Sequence, residues 1–148
     1  MKIPERLIKF LDEQKVRYEI RHHPVAYTAQ ELAAIEGVPG RIHAKVVVVK
    51  IAGKLALAVL PADCRIDLAR LGAVMATEAE FRDVFPDCAT GTMPPFGQLY
   101  GVPTHLDRRL TENERIIFEA GTHSDAILMR SADYERLAQP VVGDFGVK

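Results

Sequence analysis

Lys45 opens the run Ala44-Lys45-Val46-Val47-Val48-Val49, which sets a cation at the mouth of a β-branched segment. A lysine at a strand end can lay its stem along apolar surface and keep its ammonium in water. Held in place instead, the ammonium suits a phosphate or a carbonyl oxygen that gains negative charge. A second feature is Gly91-Thr92-Met93-Pro94-Pro95-Phe96-Gly97. Two prolines fix φ in mid-loop, and a glycine at each end can adopt angles that other residues avoid. Such a loop serves as a tight connection between elements. It also serves as a stiff wall whose backbone N–H groups meet a ligand without reordering. Together, the lysine and the loop describe a site for a carbonyl oxygen gaining negative charge or for a phosphate.

Other chemistries find less support. Ser124 and Ser131 lack the flanking glycines of a nucleophile elbow. Of the five histidines, His22 and His23 are adjacent, while His43, His105 and His123 show no His-x-x-x-His spacing with carboxylates, so no metal is expected. Cys64 and Cys88 form no Cys-x-x-Cys pair and read as reduced, packed thiols.

Elements that could position these residues follow from the periodicity. Ile3, Leu7, Ile8, Phe10 and Leu11 predict an amphipathic helix over 4–14, and Val16, Tyr18 and Ile20 alternate as a short strand. Thr28 and Glu31 form a capping box for a helix that Gly37 ends, and 38–43 is loop. Val46–Ile51 and Leu55–Leu60, separated by Gly53, predict a central hairpin. Asp67 caps a short helix through Leu71, and Thr77 with Glu80 starts another that Pro86 ends. Leu99–Leu106 reads as a strand with Pro103 at an edge or bulge. Ile116–Phe118 and Ala126–Met129 flank the turn Gly121-Thr122-His123, and Ser131 caps a C-terminal helix carrying Tyr134 and Leu137. The class is α+β: one domain over 1–148 with a largely antiparallel, mixed, barrel-like sheet and flanking helices.

Composition sets the bounds. With 148 residues, 48% hydrophobic and 26% charged, the chain has the make-up of one globular domain with a real core. No apolar run approaches the roughly 20 residues of a membrane span, and the first residues do not read as a signal peptide, so the expected location is cytoplasmic. The net charge of −1 conceals ten basic against six acidic residues in 1–54 and nine against fourteen in 55–148. That mild N-terminal excess fits weak, salt-sensitive contact with a polyanion rather than dedicated nucleic-acid binding. Arg17, Arg21, Arg41, Lys50 and Lys54 are the candidates for phosphate contact.

The lysine run, Leu60-Pro61-Ala62-Asp63 and the proline loop, with His23-Pro24, Gly101-Val102-Pro103 and Ala120-Gly121 in the same order, resemble the YbaK-like, prolyl-tRNA-synthetase-associated editing family over essentially the whole chain. The resemblance implies a small, free-standing hydrolase that cleaves the ester of a wrongly attached small amino acid on tRNA, with no metal or organic cofactor. One methylene or hydroxyl separates small amino acids by only about 1–3 kcal/mol, which is why a second sieve is needed. The resemblance makes the residue matching Lys45 the essential side chain, and gives the residue matching Gly91 a part in shaping the aminoacyl pocket. Thr92, Met93, Pro94, Pro95, Phe96 and Gly97 would complete that wall, with Thr92, Met93 and Phe96 the side chains expected to set substrate size. Thr28 and His123 match pocket positions in relatives, although a capping box and an ordinary turn also explain them. The implied partners are the acceptor end of an aminoacyl-tRNA, that of tRNA-Pro or a related tRNA, and a synthetase, with no membrane and no DNA. The competing expectation is a non-catalytic module of the same fold that binds tRNA ends or a protein; hydrolysis of another small acyl ester is a third.

Overall fold

The computed structural model describes residues 2–148. The chain runs α1 (Glu5–Glu13), β1 (Tyr18–His22), α2 (Ala29–Glu36), β2 (Ala44–Ile51), β3 (Lys54–Pro61), β4 (Arg65–Ile66), α3 (Leu68–Leu71), β5 (Ala73–Met75) and α4 (Glu78–Phe81). It continues through β6 (Thr104–Asp107), α5 (Arg108–Thr111), β7 (Arg115–Glu119), β8 (Asp125–Arg130), α6 (Ser131–Ala138), β9 (Val141–Gly143) and β10 (Gly146–Val147). One sheet has the order β5-β2-β3-β6-β9, a second β1-β8-β7, and β10 pairs with β4. Pairing is antiparallel except for β3 with β6 and β6 with β9, so the sheet is mixed, and it stays open rather than closing into a barrel.

The β2–β3 hairpin turns through Ala52 and Gly53, both at positive φ (52° and 78°). That two-residue mirror-image turn matches the right-handed twist of the strands and fixes their register, with Lys45 opposite Leu60. The two larger sheets meet through one parallel bridge, His43 to Ile117. Between them lies a core in which the Phe96 ring packs edge-on against Phe10, Phe118 and Tyr134 at centroid distances of 5.7, 5.8 and 5.2 Å.

Helix starts follow local chemistry. Thr28 Oγ1 accepts the Glu31 N–H at 3.0 Å, and the Glu31 carboxylate accepts from Tyr27 N at 3.1 Å, so the reciprocal bond falls one residue before the expected box. Thr77 and Glu80 form the complete box. Three expectations fail. The helix begun at Thr77 spans only Glu78–Phe81 and stops well before Pro86. Leu99 to Leu106 is not one strand: Gly97–Tyr100 forms a 3₁₀ turn, Gly101 takes φ 73°, and only Thr104–Asp107 pairs. Pro103 has no N–H for a ladder, and its carbonyl accepts from Leu57 at the strand entrance. Ser131 does not cap α6 either, since Arg130 occupies the cap position and the Ser131 Oγ is buried without a partner.

Candidate active site

The start of β2, the loop at 91–93, the end of β7 and the segment before α2 enclose a cavity of about 160 Å³. Lys45 lies in its wall, half-buried, and among the described residues it has no ion-pair partner. Burial holds its ammonium below the ordinary lysine value, while the nearby Cys64 and Asp63 pull the other way. A partly desolvated ammonium that is not tied up in an ion pair is available to an anion or a polarised oxygen.

Gly91 has φ 83°, and a side chain built there would meet open space, so glycine answers the backbone angle rather than crowding. The loop beyond it is laced to the β7–β8 turn. Gly121 N donates to Thr92 O at 2.8 Å and Ala89 N to Gly121 O at 2.9 Å, while the buried Thr92 Oγ1 donates to Ala89 O at 2.6 Å. Thr92 N donates to Ala89 O, Phe96 N to Pro94 O and Gly97 N to Thr104 Oγ1. With two prolines lacking an N–H, the loop donors left without a partner among the described residues are those of Gly91 and Met93. Both residues line the cavity.

Glu119, to which the sequence reading gave no role, completes the wall from β7. Its Oε2 is buried with no hydrogen-bond partner, and burial pushes its carboxyl from 4.5 up to about 8. Tyr27, also unanticipated, lines the mouth while remaining largely exposed. His123 stands behind Tyr27 at a ring-centroid distance of 4.9 Å, and its Nδ1 donates to Ala26 O at 3.1 Å. Two signals were available in the sequence: a carboxylate closing the apolar run Ile116-Ile117-Phe118, and an aromatic just past His23-Pro24.

Of the residues expected at the site, the structure brings Lys45, Gly91 and Met93 to one cavity. The others take supporting positions outside its lining. Thr28 caps α2, His123 backs Tyr27, and Thr92 ties the loop to the β7–β8 turn. Pro94 and Pro95 are buried, and Pro95 O accepts from the Tyr134 hydroxyl at 2.7 Å. Phe96 points into the core. Gly97 sits where an added Cβ would come within 2.4 Å of Val102 O, a packing constraint rather than a ligand contact. Among the basic candidates, Arg21 pairs with Glu19 and Glu36, and Lys50 with Glu80 at 2.6 Å. Arg17, Arg41 and Lys54 have no ion pair among the described residues.

Comparison with known proteins adds an independent line. A family model described as an aminoacyl-tRNA editing domain matches residues 23–137. The multifunctional Ser/Thr-tRNA deacylase ProXp-y of Escherichia coli (strain K12) is 29% identical, over 95% of this chain and 91% of that protein. Among solved structures, that of a proposed trans-editing enzyme for prolyl tRNA synthetase superposes with a TM-score of 0.83 at 21% identity, covering 97% of this chain and 96% of the other. A hypothetical protein superposes with a TM-score of 0.86 at 18% identity, covering 96% and 99%. At these identities the solved structures establish the fold. No helix among the described residues is long and apolar enough to cross a membrane.

Proposed function

The chain belongs to the aminoacyl-tRNA editing domain family, and from that premise we propose that its cavity hydrolyses the ester between a small, wrongly attached amino acid and tRNA. The observation that carries this reading is that Lys45 lines one small cavity together with Gly91 and Met93, the two loop residues whose N–H groups have no hydrogen-bond partner among the described residues. An ester carbonyl placed there has a cation and two fixed donors for the oxygen that becomes negative when water attacks. Water forms the new C–O bond, the tetrahedral intermediate collapses, and the bond to the ribose oxygen breaks. The amino acid leaves as its carboxylic acid, and the ribose oxygen takes up a proton. Lys45 also has the charge to steady the terminal nucleotide, and holding both reactants in register removes much of the entropic barrier.

Size supports a small substrate. A cavity of about 160 Å³ has room for a small aminoacyl group and an attacking water. The buried Met93 closes one side. The likeness to ProXp-y brings serine and threonine forward as the amino acids removed, and the solved trans-editing structure brings forward a synthetase partner. The exposed Tyr27 ring at the cavity mouth offers a stacking surface for the terminal base, an interaction worth about 1–3 kcal/mol in single-strand binding. A site of this kind belongs in the cytoplasm, where charged tRNA is found.

The test is a panel of tRNAs mischarged with alanine, serine, threonine, cysteine and 2-aminobutyrate, incubated with the wild type and with Lys45→Ala. Release of at least one small amino acid is expected, falling at least ~100-fold in the variant on loss of a positioned charge. Full activity in Lys45→Ala, or no release from any tRNA by the wild type, removes the proposal.

A further inference from the structure

Glu119 stands apart in the cavity wall. It is the sole carboxylate there, its Oε2 has no hydrogen-bond partner, and no cation pairs with it among the described residues. A buried, unsatisfied carboxyl costs free energy in the empty protein, so its position calls for a ligand group that satisfies it. The rest of the lining is Lys45, the Tyr27 ring, and Ala44, Val46, Gly91 and Met93, which contribute apolar surface and backbone.

An ester carbonyl held by Lys45 and the loop donors fixes where the rest of the substrate lies. In an aminoacyl group the α-nitrogen sits only about 2.5 Å from the carbonyl carbon, two bonds away. The ammonium therefore enters the same cavity whichever amino acid is attached. A desolvated ammonium beside Lys45 would be strongly disfavoured unless an anion faced it. Resting on the deacylase reading above, we infer that Glu119 is the receptor for the α-ammonium of the aminoacyl group, and that the site thereby selects aminoacyl over other acyl esters.

The contact explains both orphaned features of the site. An arriving ammonium favours the ionised carboxylate, so binding releases the proton that burial retains on Glu119 in the empty cavity. The Lys45 ammonium is left to the carbonyl or phosphate because a second cation occupies the carboxylate. Besides Lys45 and Tyr27 in the lining, titratable groups near this end of β7 include His43, bridged to the same strand through Ile117 and pushed down to about 4 by burial, His23, which lies close enough to His43 to depress it further, and Asp125, whose carboxylate is engaged by the Thr122 hydroxyl and the His22 ring. Buried and neutral, His43 cannot supply the missing counter-charge.

The discriminating pair of substrates is an aminoacyl-tRNA and the α-hydroxyacyl-tRNA made from it by deamination, which exchanges the ammonium for a hydroxyl of nearly equal size. Wild-type kcat/KM should favour the amine by roughly 10- to 100-fold, the range expected of a charged hydrogen bond. Glu119→Gln, similar in volume, should lose that preference by slowing the amine while leaving the hydroxyacyl ester within about threefold. Retained preference in Glu119→Gln overturns the inference. Equal slowing of both esters also overturns it, by assigning Glu119 to water activation or to the fold. A second measurement does not depend on turnover: calorimetric binding of non-hydrolysable 3′-amide analogues of alanyl-adenosine and lactyl-adenosine. Tighter binding of the alanyl analogue, accompanied by proton release below pH 8 in the wild type only, supports the ammonium contact. Equal binding by the wild type sinks it. A wild type that hydrolyses no mischarged tRNA sinks the deacylase reading instead, so the two failures are told apart.

Discussion

Lys45 and Glu119 stand two residues beyond His43 and Ile117, the one pair among the described residues that bridges the two larger sheets in parallel. Side chains two apart along a strand share a face, so the bridge that joins the sheets also delivers a cation and a carboxylate to the same cavity. A β-bridge is thus the frame of the proposed site.

The buried Glu119 carboxyl predicts an unusual pH dependence of stability. Its pKa is raised from 4.5 to about 8, so between those values the folded protein holds a proton that the unfolded chain has released. Stability from this group is complete below about pH 4.5 and is lost as pH rises through about 8. Its slope is at most about 1.4 kcal/mol per pH unit. Glu119→Gln should remove that limb and melt higher than the wild type at pH 8. Urea midpoints measured from pH 5 to 9 check this; parallel profiles for the two proteins would refute it.

Gly91 and Gly97 should respond to alanine in opposite currencies. At Gly91 the added methyl meets open space, and the penalty is that of a left-handed residue, about 1–2 kcal/mol, with a displaced Met93 N–H and a larger loss of rate. At Gly97 the methyl would meet Val102 O at 2.4 Å and Thr104 Oγ1 at 2.7 Å, so folding itself should suffer. Thermal melts and deacylation rates on both variants separate the cases. Comparable melting temperatures would contradict the packing argument.

Much of the frame was legible in the sequence, for physical reasons visible at particular residues. The β2–β3 hairpin carries its own signal in two β-branched and apolar runs around a glycine, and the caps at Thr28, Asp67 and Thr77 are local hydrogen bonds that three-residue spacings announce. The 3₁₀ turn at 97–100 was missed because apolar residues there satisfy a long-range core rather than a local period. Phe96 lies between two glycines in a loop whose chemistry suggested ligand contact, yet its ring packs on Phe10, Phe118 and Tyr134, contacts that no local pattern reports. Glu119 escaped for the converse reason. A charged residue at the end of a strand ordinarily faces water, and no local pattern reports the bridge from Ile117 to His43, just before β2, that brings this end of β7 to the cavity.

Met93→Ala should widen the cavity and admit larger aminoacyl groups, since its buried side chain forms one wall. Truncating a buried methionine costs about 2–5 kcal/mol, so the rates belong at a temperature where the variant is folded. A panel extended to valyl and leucyl esters reads the change. An unaltered order of preference would show that another side chain sets the limit.

Arg115 faces Arg130 directly across β7 and β8, and with Arg17 they border a single groove. Like charges in register are unfavourable, and none of the three has an ion pair among the described residues. A phosphate backbone would relieve the repulsion. Arg115→Gln with Arg130→Gln should raise KM for mischarged tRNA, lower the salt dependence of binding by about two phosphate contacts, and leave cleavage of an aminoacyl-adenosine ester unchanged. Equal effects on tRNA and on the short ester would argue against contact along the acceptor arm.

The Tyr134 hydroxyl holds Pro95 O at 2.7 Å across 39 positions of sequence. Helix α6 thereby braces the loop that contributes Gly91 and Met93 to the cavity, although no residue of the helix lies in the lining. If the proposed pocket is the site, a change at position 134 that shifts the prolines should alter which amino acids fit while every residue in the lining stays the same.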